Sequence, residues 1–295
     1  MISSEIRSEI ALLLKSRTND AGRKSLSLRY PFLIPYILFL KININRIKNL
    51  FTLGFPLKKV LYLENVIARH SSPLMRKLGD SDPSLQIGKI QNLKTAIKKL
   101  DGVIIEPGKI FSLWNQVGSV KENKGYTDGM LISGGIVKAG LGGGMCQLSN
   151  FLHWIFLHTD VEILERHHHS MDVFPDSGRT IPFGTGATIF YNLLDLKIKN
   201  TNPYPIQIKL YLTDTQLKGQ LLSNVSEKEK IHITEKNHCF VKYLGKYYRY
   251  NQIYKETYIE EKLIKEKKVL TNLSPVLYEV TPEYISRNNF ELIEI

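Results

Sequence analysis

Residues 140–149, with the sequence GLGGGMCQLS, place a cysteine directly after a run of glycines and at the start of an apolar segment. Glycine permits positive φ angles and close approach of other backbone. The free N–H groups in the first turn of a helix attract negative charge, so a cysteine there is expected to have a lowered pKa. The same N–H groups can stabilise the oxyanion of a tetrahedral intermediate. We therefore predict that Cys146 is a nucleophile. The residues predicted to form the turn and the oxyanion site are Gly142, Gly143, Gly144 and Gln147.

Two other interpretations of this glycine-rich segment stay open. Cys146 could pack as a small buried apolar residue, with the glycines serving only a tight turn. The segment could also cradle a phosphate group, although the Lys-Ser/Thr ending of a P-loop is absent from it. The residues alone therefore leave a catalytic, a structural and a phosphate-binding interpretation of the segment.

A cysteine nucleophile needs a base, and the three consecutive histidines at residues 167–169 supply candidates. They follow a predicted strand over residues 161–165, in a position where catalytic groups are often found. Side chains alternate along a strand, so His167 and His169 are expected on one face and the middle histidine on the other. We therefore predict His167 and His169 as catalytic candidates. Cys146 and two imidazoles would also suit a metal ion, but no fourth ligand is identified, and we predict no metal and no cofactor.

His153 shares a predicted helical face with Cys146, at a spacing of two helical turns. That spacing corresponds to about 10 Å of rise, which is too far for direct proton transfer, so we interpret His153 as a packing residue. Arginines flank the histidine cluster, and an arginine could bind a substrate carboxylate. The residues predicted to bind substrate are Arg166, Ser149 and Arg179.

The elements that would position these residues indicate an α+β fold. Apolar residues at helical spacing predict a helix over residues 90–100 and another over residues 146–159. Residues 103–114 are interpreted as a strand, a turn at Pro107-Gly108 and a second strand. Further strands are predicted, in chain order, at 161–165, 188–191, 194–199 and 206–212. The predicted mixed-sheet domain thus has a Gly-rich turn leading into the helix that presents Cys146.

The predicted domain organisation has three parts. Residues 1–79 form a basic, mainly helical N-terminal layer, residues 80–222 the mixed domain, and residues 223–295 a tyrosine- and lysine-rich extension with a hairpin. The apolar stretch at residues 30–40 is about half as long as a membrane-spanning helix and contains two prolines. We expect it to be buried or to lie at an interface.

The chain is basic, with 40 Lys and Arg residues against 28 Asp and Glu residues and a net charge of +12. That balance suits an anionic partner such as nucleic acid, a membrane surface or an acidic wall polymer, although a lysine-rich proteome would also explain it. Among these partners, nucleic acid is not the one we expect. The hydrophobic fraction of 43% excludes a largely disordered chain. The first residues lack the basic n-region of a secretory signal, so we expect a cytoplasmic protein with peripheral membrane contact as an option.

Four runs of this sequence resemble the VanW family. They are FSLWNQVG, KGYTDGMLISGGIVKAGLGGGMCQLSN, ERHHHSMDVFPDSGRT and GATIFYNLLDLKIKNTNPYPIQI, which together fall within roughly residues 80–222. The combination of GGGxCQxS with ERxxHS and DLKxKN is more specific than any of these motifs alone. The resemblance implies a link to bacterial cell-wall metabolism and to the response to glycopeptide antibiotics.

The resemblance also implies roles for particular residues. Some extracytoplasmic proteins with this domain are understood to be cysteine-dependent L,D-transpeptidases that cross-link peptidoglycan. By this likeness Cys146 would be the nucleophile and His169 the base, whereas His168 occupies a position that the family leaves variable. The implied partner is a peptidoglycan stem peptide or precursor.

One departure from those transpeptidases concerns export, because they are exported and this sequence shows no export signal. A misassigned start, another export route and a cytoplasmic precursor as substrate each stay open. Two functions are therefore expected at this point. The first is acyl transfer or hydrolysis through a thioester on Cys146, and the second is non-catalytic binding of a wall precursor or another anionic partner.

Overall fold

The computed structural model describes residues 2–21, 30–52, 57–58, 61–75, 83–133, 136–169, 171–173, 175, 181–226 and 228–295. The helices are α1 (Ser4–Ala21), α2 (Ile34–Thr52), α3 (Pro83–Leu100), α4 (Leu113–Val117), α5 (Met145–Leu157) and α6 (Pro282–Arg287). The first strands are β1 (Leu57–Lys58), β2 (Asn65–Pro73), β3 (Val103–Ile105), β4 (Ile110–Ser112), β5 (Asp128–Ser133), β6 (Ile136–Leu141) and β7 (Val161–Glu165). The remaining strands are β8 (Lys197–Asn200), β9 (Ile206–Leu212), β10 (Gln216–Ser223), β11 (Lys230–Tyr243), β12 (Lys246–Ile259), β13 (Lys262–Pro275) and β14 (Glu291–Glu294).

The strands form four sheets, and the predicted α+β class is confirmed. A five-stranded sheet has the order β1-β3-β9-β10-β2, and a three-stranded sheet has the order β4-β8-β7. A four-stranded sheet, β13-β12-β11-β14, is built from the C-terminal part of the chain, and β5 and β6 form a hairpin. The helix predicted over residues 146–159 is α5, and its apolar face at positions 148, 151, 152, 155 and 156 is buried in the main core.

The strands on either side of Pro107-Gly108 exist as predicted, but they belong to different sheets. β3 pairs with β9, whereas β4 pairs with β8. The connection between them is bound to Asn200, which accepts a hydrogen bond from the Gly108 N–H at 2.8 Å and donates its own N–H to Lys109 at 3.0 Å. The turn therefore carries the chain from one sheet to the next instead of closing a hairpin.

The N-terminal region is less helical than predicted, because residues 65–73 form strand β2. This strand lies at the edge of the five-stranded sheet and pairs antiparallel with β10 from Asn65 to Pro73. Its partner lies about 150 residues further along the chain, so the pattern of residues 65–73 alone did not indicate it. The sheet consequently takes strands from both sides of residue 80, and the three-part domain division stays a prediction.

Helix α1 packs on the C-terminal sheet, where Ile10 and Leu14 are buried. The same sheet also holds the chain that follows the histidine cluster. A buried ion pair joins Arg249 Nη1 to Asp172 Oδ2 at 3.2 Å, and the Asp172 N–H donates to the Pro275 carbonyl at 2.9 Å. Among the described residues, no helix is both long enough and apolar enough to span a membrane.

We predict that this buried ion pair matters for stability. Arg249→Met should lower the free energy of unfolding by about 3–5 kcal/mol, because Asp172 would be left as an uncompensated buried charge. Urea denaturation would measure the change. The matched control is Lys242→Met, which breaks the exposed Lys242–Glu294 pair and should cause no resolvable change. Equal losses in the two variants would contradict the prediction.

Candidate active site

The Gly-rich turn between β6 and α5 has no room for side chains. Gly142 and Gly144 have φ angles of 77° and 99°, in the left-handed region that favours glycine. A Cβ atom on Gly143 would lie 2.1 Å from the carbonyl carbon of Gly129 in β5. Glycine is therefore required at this turn for steric reasons, and the tight backbone packing determines where α5 begins.

Helix α3 holds the other side of the turn. Asn92 donates hydrogen bonds to the carbonyl oxygens of Gly143 and Thr127, each at 2.9 Å, and accepts the Thr127 N–H at 2.8 Å. A Cβ atom on Gly88 would lie 1.8 Å from the carbonyl oxygen of Asp128, so α3 also lies directly against the β5 backbone. The turn is thus clamped between α3 and the β5–β6 hairpin.

The first turn of α5 leaves backbone donors unused. The Met145 N–H donates to Gly142 at 3.3 Å, and the Gln147 N–H donates to Gly144 at 2.9 Å. Among hydrogen bonds between described residues, none uses the N–H groups of Gly144 and Cys146. These two donors, and not those of the other predicted oxyanion residues, are the ones free to bind an oxyanion.

The other predicted oxyanion residues have structural contacts. The Gly142 N–H donates to Thr127 at 3.0 Å and the Gly143 N–H to Gly140 at 3.1 Å. The Gln147 side chain donates to the Pro73 carbonyl at 2.8 Å, which ties the start of α5 to the end of β2. The assignment of Gly142, Gly143, Gly144 and Gln147 to the oxyanion site stays a prediction. Of these four residues, Gly144 is the one whose N–H makes no hydrogen bond among the described residues.

The Cys146 thiol is half-buried and packs against the main core. Burial raises the pKa of this thiol above its ordinary value, and a backbone hydrogen bond with Ile189 partly opposes that shift. The lowered pKa expected from the helix N-terminus is therefore wrong, because removal of the thiolate from water outweighs the favourable backbone groups. Cys146 is consequently a protonated thiol at neutral pH and needs a base to react.

A stretch that we call the flanking segment, residues 185–189, runs along the face of α5 that carries Cys146. Its residues bind successive turns of the helix through their backbone. The contacts are His153 Nδ1 to the Thr185 carbonyl at 2.6 Å, Ala187 N–H to Asn150 Oδ1 at 2.7 Å, Ser149 Oγ to the Ala187 carbonyl at 2.5 Å, and Cys146 with the Ile189 backbone. The helical face predicted to carry both Cys146 and His153 is therefore the face that the flanking segment covers.

The structure brings His169 to this face. Its Nδ1 lies 2.9 Å from Thr188 Oγ1, and its Nε2 lies 3.4 Å from Asn150 Oδ1, one helical turn from Cys146. A Cβ atom on Gly186 would lie 3.0 Å from the same Nε2, so glycine leaves space for the ring. Among the residues that the structure describes, no hydrogen bond joins the Cys146 thiol to a histidine ring. His169 therefore reaches the site through Asn150 and Thr188.

Sequence reasoning missed Asn150, Thr188 and Gly186 as parts of the site. A signal existed for Asn150, because it lies four residues after Cys146 and hence on the same helical face. Thr188 and Gly186 carried no such signal, because their place beside α5 depends on the path of the flanking segment.

The other two histidines of the cluster face different surroundings. His167 Nε2 lies 3.1 Å from Glu165 Oε1, and the His167 carbonyl accepts the Thr188 N–H at 2.7 Å. Burial lowers the pKa of His168, and the positive charges of Arg166 and Arg17 lower it further. The structure thus places His169, and not His167, beside Asn150, while the catalytic role of either histidine stays a prediction.

The predicted substrate-binding residues show contacts within the protein. Arg166 Nε donates to the Gly186 carbonyl at 2.9 Å and its Nη2 donates to Gly184, so the guanidinium supports the flanking segment. Burial lowers the pKa of Arg166 to about 10, and the residue is still charged at neutral pH. Ser149 is buried and bonded to backbone, and Arg179 lies outside the described residues. Substrate binding by these residues stays a prediction.

The remaining titratable candidates are structural or separate from the site. His153 is fully buried, and burial lowers its pKa to about 3, so it is a neutral packing residue as predicted. Cys239 is a second free thiol, buried in the C-terminal sheet, where burial raises its pKa to about 12. Within the described residues, no three His, Cys, Asp or Glu side chains are arranged to hold a metal ion.

The buried carboxylate of Asp195, the first residue of the DLKxKN motif, connects this motif and the FSLWNQVG run to the strand that precedes the histidine cluster. Asp195 accepts hydrogen bonds from the Ser112 hydroxyl at 2.5 Å and from the Trp114 N–H at 3.2 Å. Its own N–H donates to Glu165 at 2.8 Å, and Glu165 pairs with Lys197 at 3.0 Å. These contacts join β4, β7 and β8 and hold the end of β7, from which the histidines follow.

Comparison with known proteins gives consistent matches to this domain. Residues 88–222, which include Cys146, His169 and the flanking segment, match the family model described as VanW like protein. The chain is 31% identical over 243 residues to the vancomycin B-type resistance protein VanW of Enterococcus faecalis, a match that covers 79% of this chain and 85% of that protein. It is 30% identical over 118 residues to the uncharacterized protein YoaR of Bacillus subtilis, covering 40% of this chain and 37% of YoaR. No solved structure matches it. The chain belongs to the VanW family.

Proposed function

We propose that this protein acts in cell-wall metabolism and the response to glycopeptide antibiotics, by acyl transfer or hydrolysis on peptidoglycan stem peptides through a thioester on Cys146. The name of the Enterococcus faecalis relative, a vancomycin B-type resistance protein, supports the antibiotic link. The observation that carries the chemical part is the position of His169 against Asn150, which lies one helical turn after Cys146 on the same face of α5, together with a Cys146 N–H that makes no hydrogen bond among the described residues.

The proposed reaction starts with transfer of the thiol proton to His169 Nε2. The thiolate attacks the carbonyl carbon of a stem-peptide amide, and the resulting oxyanion accepts hydrogen bonds from the Cys146 and Gly144 N–H groups. When the C–N bond breaks, the imidazolium returns the proton to the leaving amine and a thioester remains on Cys146. A second amine then gives acyl transfer, whereas water gives hydrolysis.

Nε2 of His169 can move from Asn150 to the Cys146 thiol without leaving the Asn150 side-chain oxygen unpaired. Asn150 Oδ1 also accepts the Ala187 N–H at 2.7 Å, so it stays hydrogen-bonded when Nε2 moves to the thiol. The Thr188 hydroxyl can accept a hydrogen bond from Nδ1–H as readily as it can donate one. In the contact with Asn150 Oδ1, which is an acceptor, Nε2 carries the proton, so the proposed step uses the other tautomer, in which Nδ1–H donates to Thr188 and the Nε2 lone pair can accept the thiol proton.

A second candidate function is non-catalytic binding of a wall precursor or another anionic partner. Two observations favour this alternative. The pKa of the Cys146 thiol is raised, and the His169 ring contacts the Asn150 side chain of α5 with no hydrogen bond to the thiol among the described residues. The two candidates differ in whether a covalent intermediate forms.

We predict a covalent adduct on Cys146. Mass spectrometry after incubation with muropeptides should detect an acyl group on the wild-type protein and none on Cys146→Ala. The matched control is Cys239→Ala, which removes the other thiol and should retain the adduct, provided that its circular dichroism is unchanged. An unmodified wild-type protein would support the binding module instead.

Thiol labelling should report the raised pKa of Cys146. We expect iodoacetamide to label Cys146 faster than Cys239, because Cys146 is half-buried whereas Cys239 is fully buried. A pKa above the ordinary value leaves less thiolate at pH 7, so the Cys146 rate should fall below that of free cysteine and still rise above pH 9. A rate that reaches its plateau below pH 7 would refute the assignment.

Thr188 should act as a positioning residue for His169. Thr188→Val keeps the shape but removes the hydroxyl, and should slow adduct formation at least about tenfold with little change in KM. Thr188→Ser should restore the rate, and Thr215→Val, at an exposed threonine, should leave it unchanged. A pH–rate profile identical to that of the wild type would show that the hydroxyl does not act through the imidazole.

A further inference from the structure

Helix α2 presents large apolar side chains to solvent. Its inward face is anchored at Asn45, whose amide donates to the Asn192 carbonyl at 2.8 Å. Around the rest of the helix, apolar residues keep much of their surface exposed. The exposed fractions are 69% for Tyr36, 67% for Phe39, 59% for Leu40, 49% for Ile44 and 56% for Ile47.

These exposed residues form one stripe, opposite the anchored face. With about 100° of rotation per residue, the stripe from Phe39 to Ile44 spans about 140° around the helix axis. The polar residue within it, Asn43, donates its amide to the Phe39 carbonyl at 2.9 Å, so this amide is bonded within the helix. The stripe therefore presents a nearly continuous apolar surface.

Positive charges border the stripe on both sides. By the same rotation, Arg46 lies about 20° beyond one edge, and Lys48 and Lys41 lie about 40–60° beyond the other. Residues 21–63 contain eight Lys and Arg residues and no Asp or Glu. Long basic side chains at the edges of an apolar stripe can keep their charges in water while their methylene groups extend that surface.

We propose that α2 binds an anionic lipid bilayer in the interfacial plane, with this stripe inserted among the lipid chains. The helix does not have the length and apolarity of a membrane-spanning helix, whereas an in-plane position buries the stripe and sets the flanking cations at the headgroups. A second copy of the chain is a less suitable occupant, because two such basic borders would face each other.

Vesicle sedimentation with the full chain tests this proposal. The wild-type protein should bind vesicles of equal parts phosphatidylglycerol and phosphatidylcholine, bind pure phosphatidylcholine vesicles more weakly, and lose affinity as salt is added. Binding that is absent, or equal for both vesicles and insensitive to salt, would overturn it.

Substitutions in the stripe locate the contact. The triple variant Phe39→Gln, Leu40→Gln and Ile47→Gln should lower vesicle partitioning at least about tenfold. The change falls on exposed side chains, so the fold should be retained. The matched control carries glutamine at three exposed leucines elsewhere, namely Leu244, Leu263 and Leu277, and should bind like the wild type. Equal losses in both variants would overturn the assignment of α2.

Substitutions of the basic residues beside the stripe distinguish an effect of their position from an effect of the net charge of the protein. Lys41→Gln, Arg46→Gln and Lys48→Gln together should weaken binding to the anionic vesicles. The matched control neutralises three exposed lysines of β13, which are Lys262, Lys265 and Lys267, and should weaken binding much less.

Light scattering without lipid tests whether a second copy of the chain covers the stripe instead. A wild-type dimer that the stripe variant converts to a monomer would show that a second copy covers the stripe.

Discussion

The rest of the site depends on one steric constraint, the backbone-to-backbone packing of the Gly-rich turn against β5. A Cβ atom on Gly143 would lie 2.1 Å from the Gly129 carbonyl carbon, and one on Gly129 would lie 2.9 Å from the Lys89 backbone nitrogen in α3. Interiors of this density do not absorb an added methyl group without backbone movement. The contact therefore fixes the first residue of α5 relative to the hairpin, and with it the direction in which the Cys146 N–H points.

Once α5 is fixed, two effects compete at the Cys146 thiol. A helix N-terminus stabilises a nearby anion by typically 0.3–1 kcal/mol, and by about 2 kcal/mol in favourable buried geometries. Burial of a titratable group can shift its pKa by several units, and each unit corresponds to about 1.4 kcal/mol. Burial is therefore the larger effect here, which agrees with the raised pKa of Cys146. The helix N-terminus then contributes more as an oxyanion donor than as a means of ionising the thiol.

The elements that the sequence predicted best are those with local patterns. The glycines before Cys146 and the apolar face of α5 follow from residues within about one element, and the structure confirms both. Strand β2 depends on pairing with a distant strand, and Thr188 and Gly186 depend on the route of the flanking segment. Local periodicity carries no information about such contacts. The choice between His167 and His169 required geometry for the same reason, since Glu165 holds one ring at the strand end while the chain beyond it turns toward α5.

The turn that follows the flanking segment connects the Cys146 site to the proposed membrane-binding helix α2. Ile189 contacts the Cys146 thiol, and Asn192 accepts the hydrogen bond that anchors Asn45 of α2. Successive Cα atoms are 3.8 Å apart, so these two positions are separated by at most about 11 Å. A helix with its side chains adds about 10 Å between the anchored face and the exposed stripe. The Asn192 carbonyl and its hydrogen bond to Asn45 add about 5 Å. Under both proposals, the residue that contacts the thiol therefore lies within about 25 Å of the lipid surface, a distance suited to a substrate whose peptide is attached to a membrane lipid.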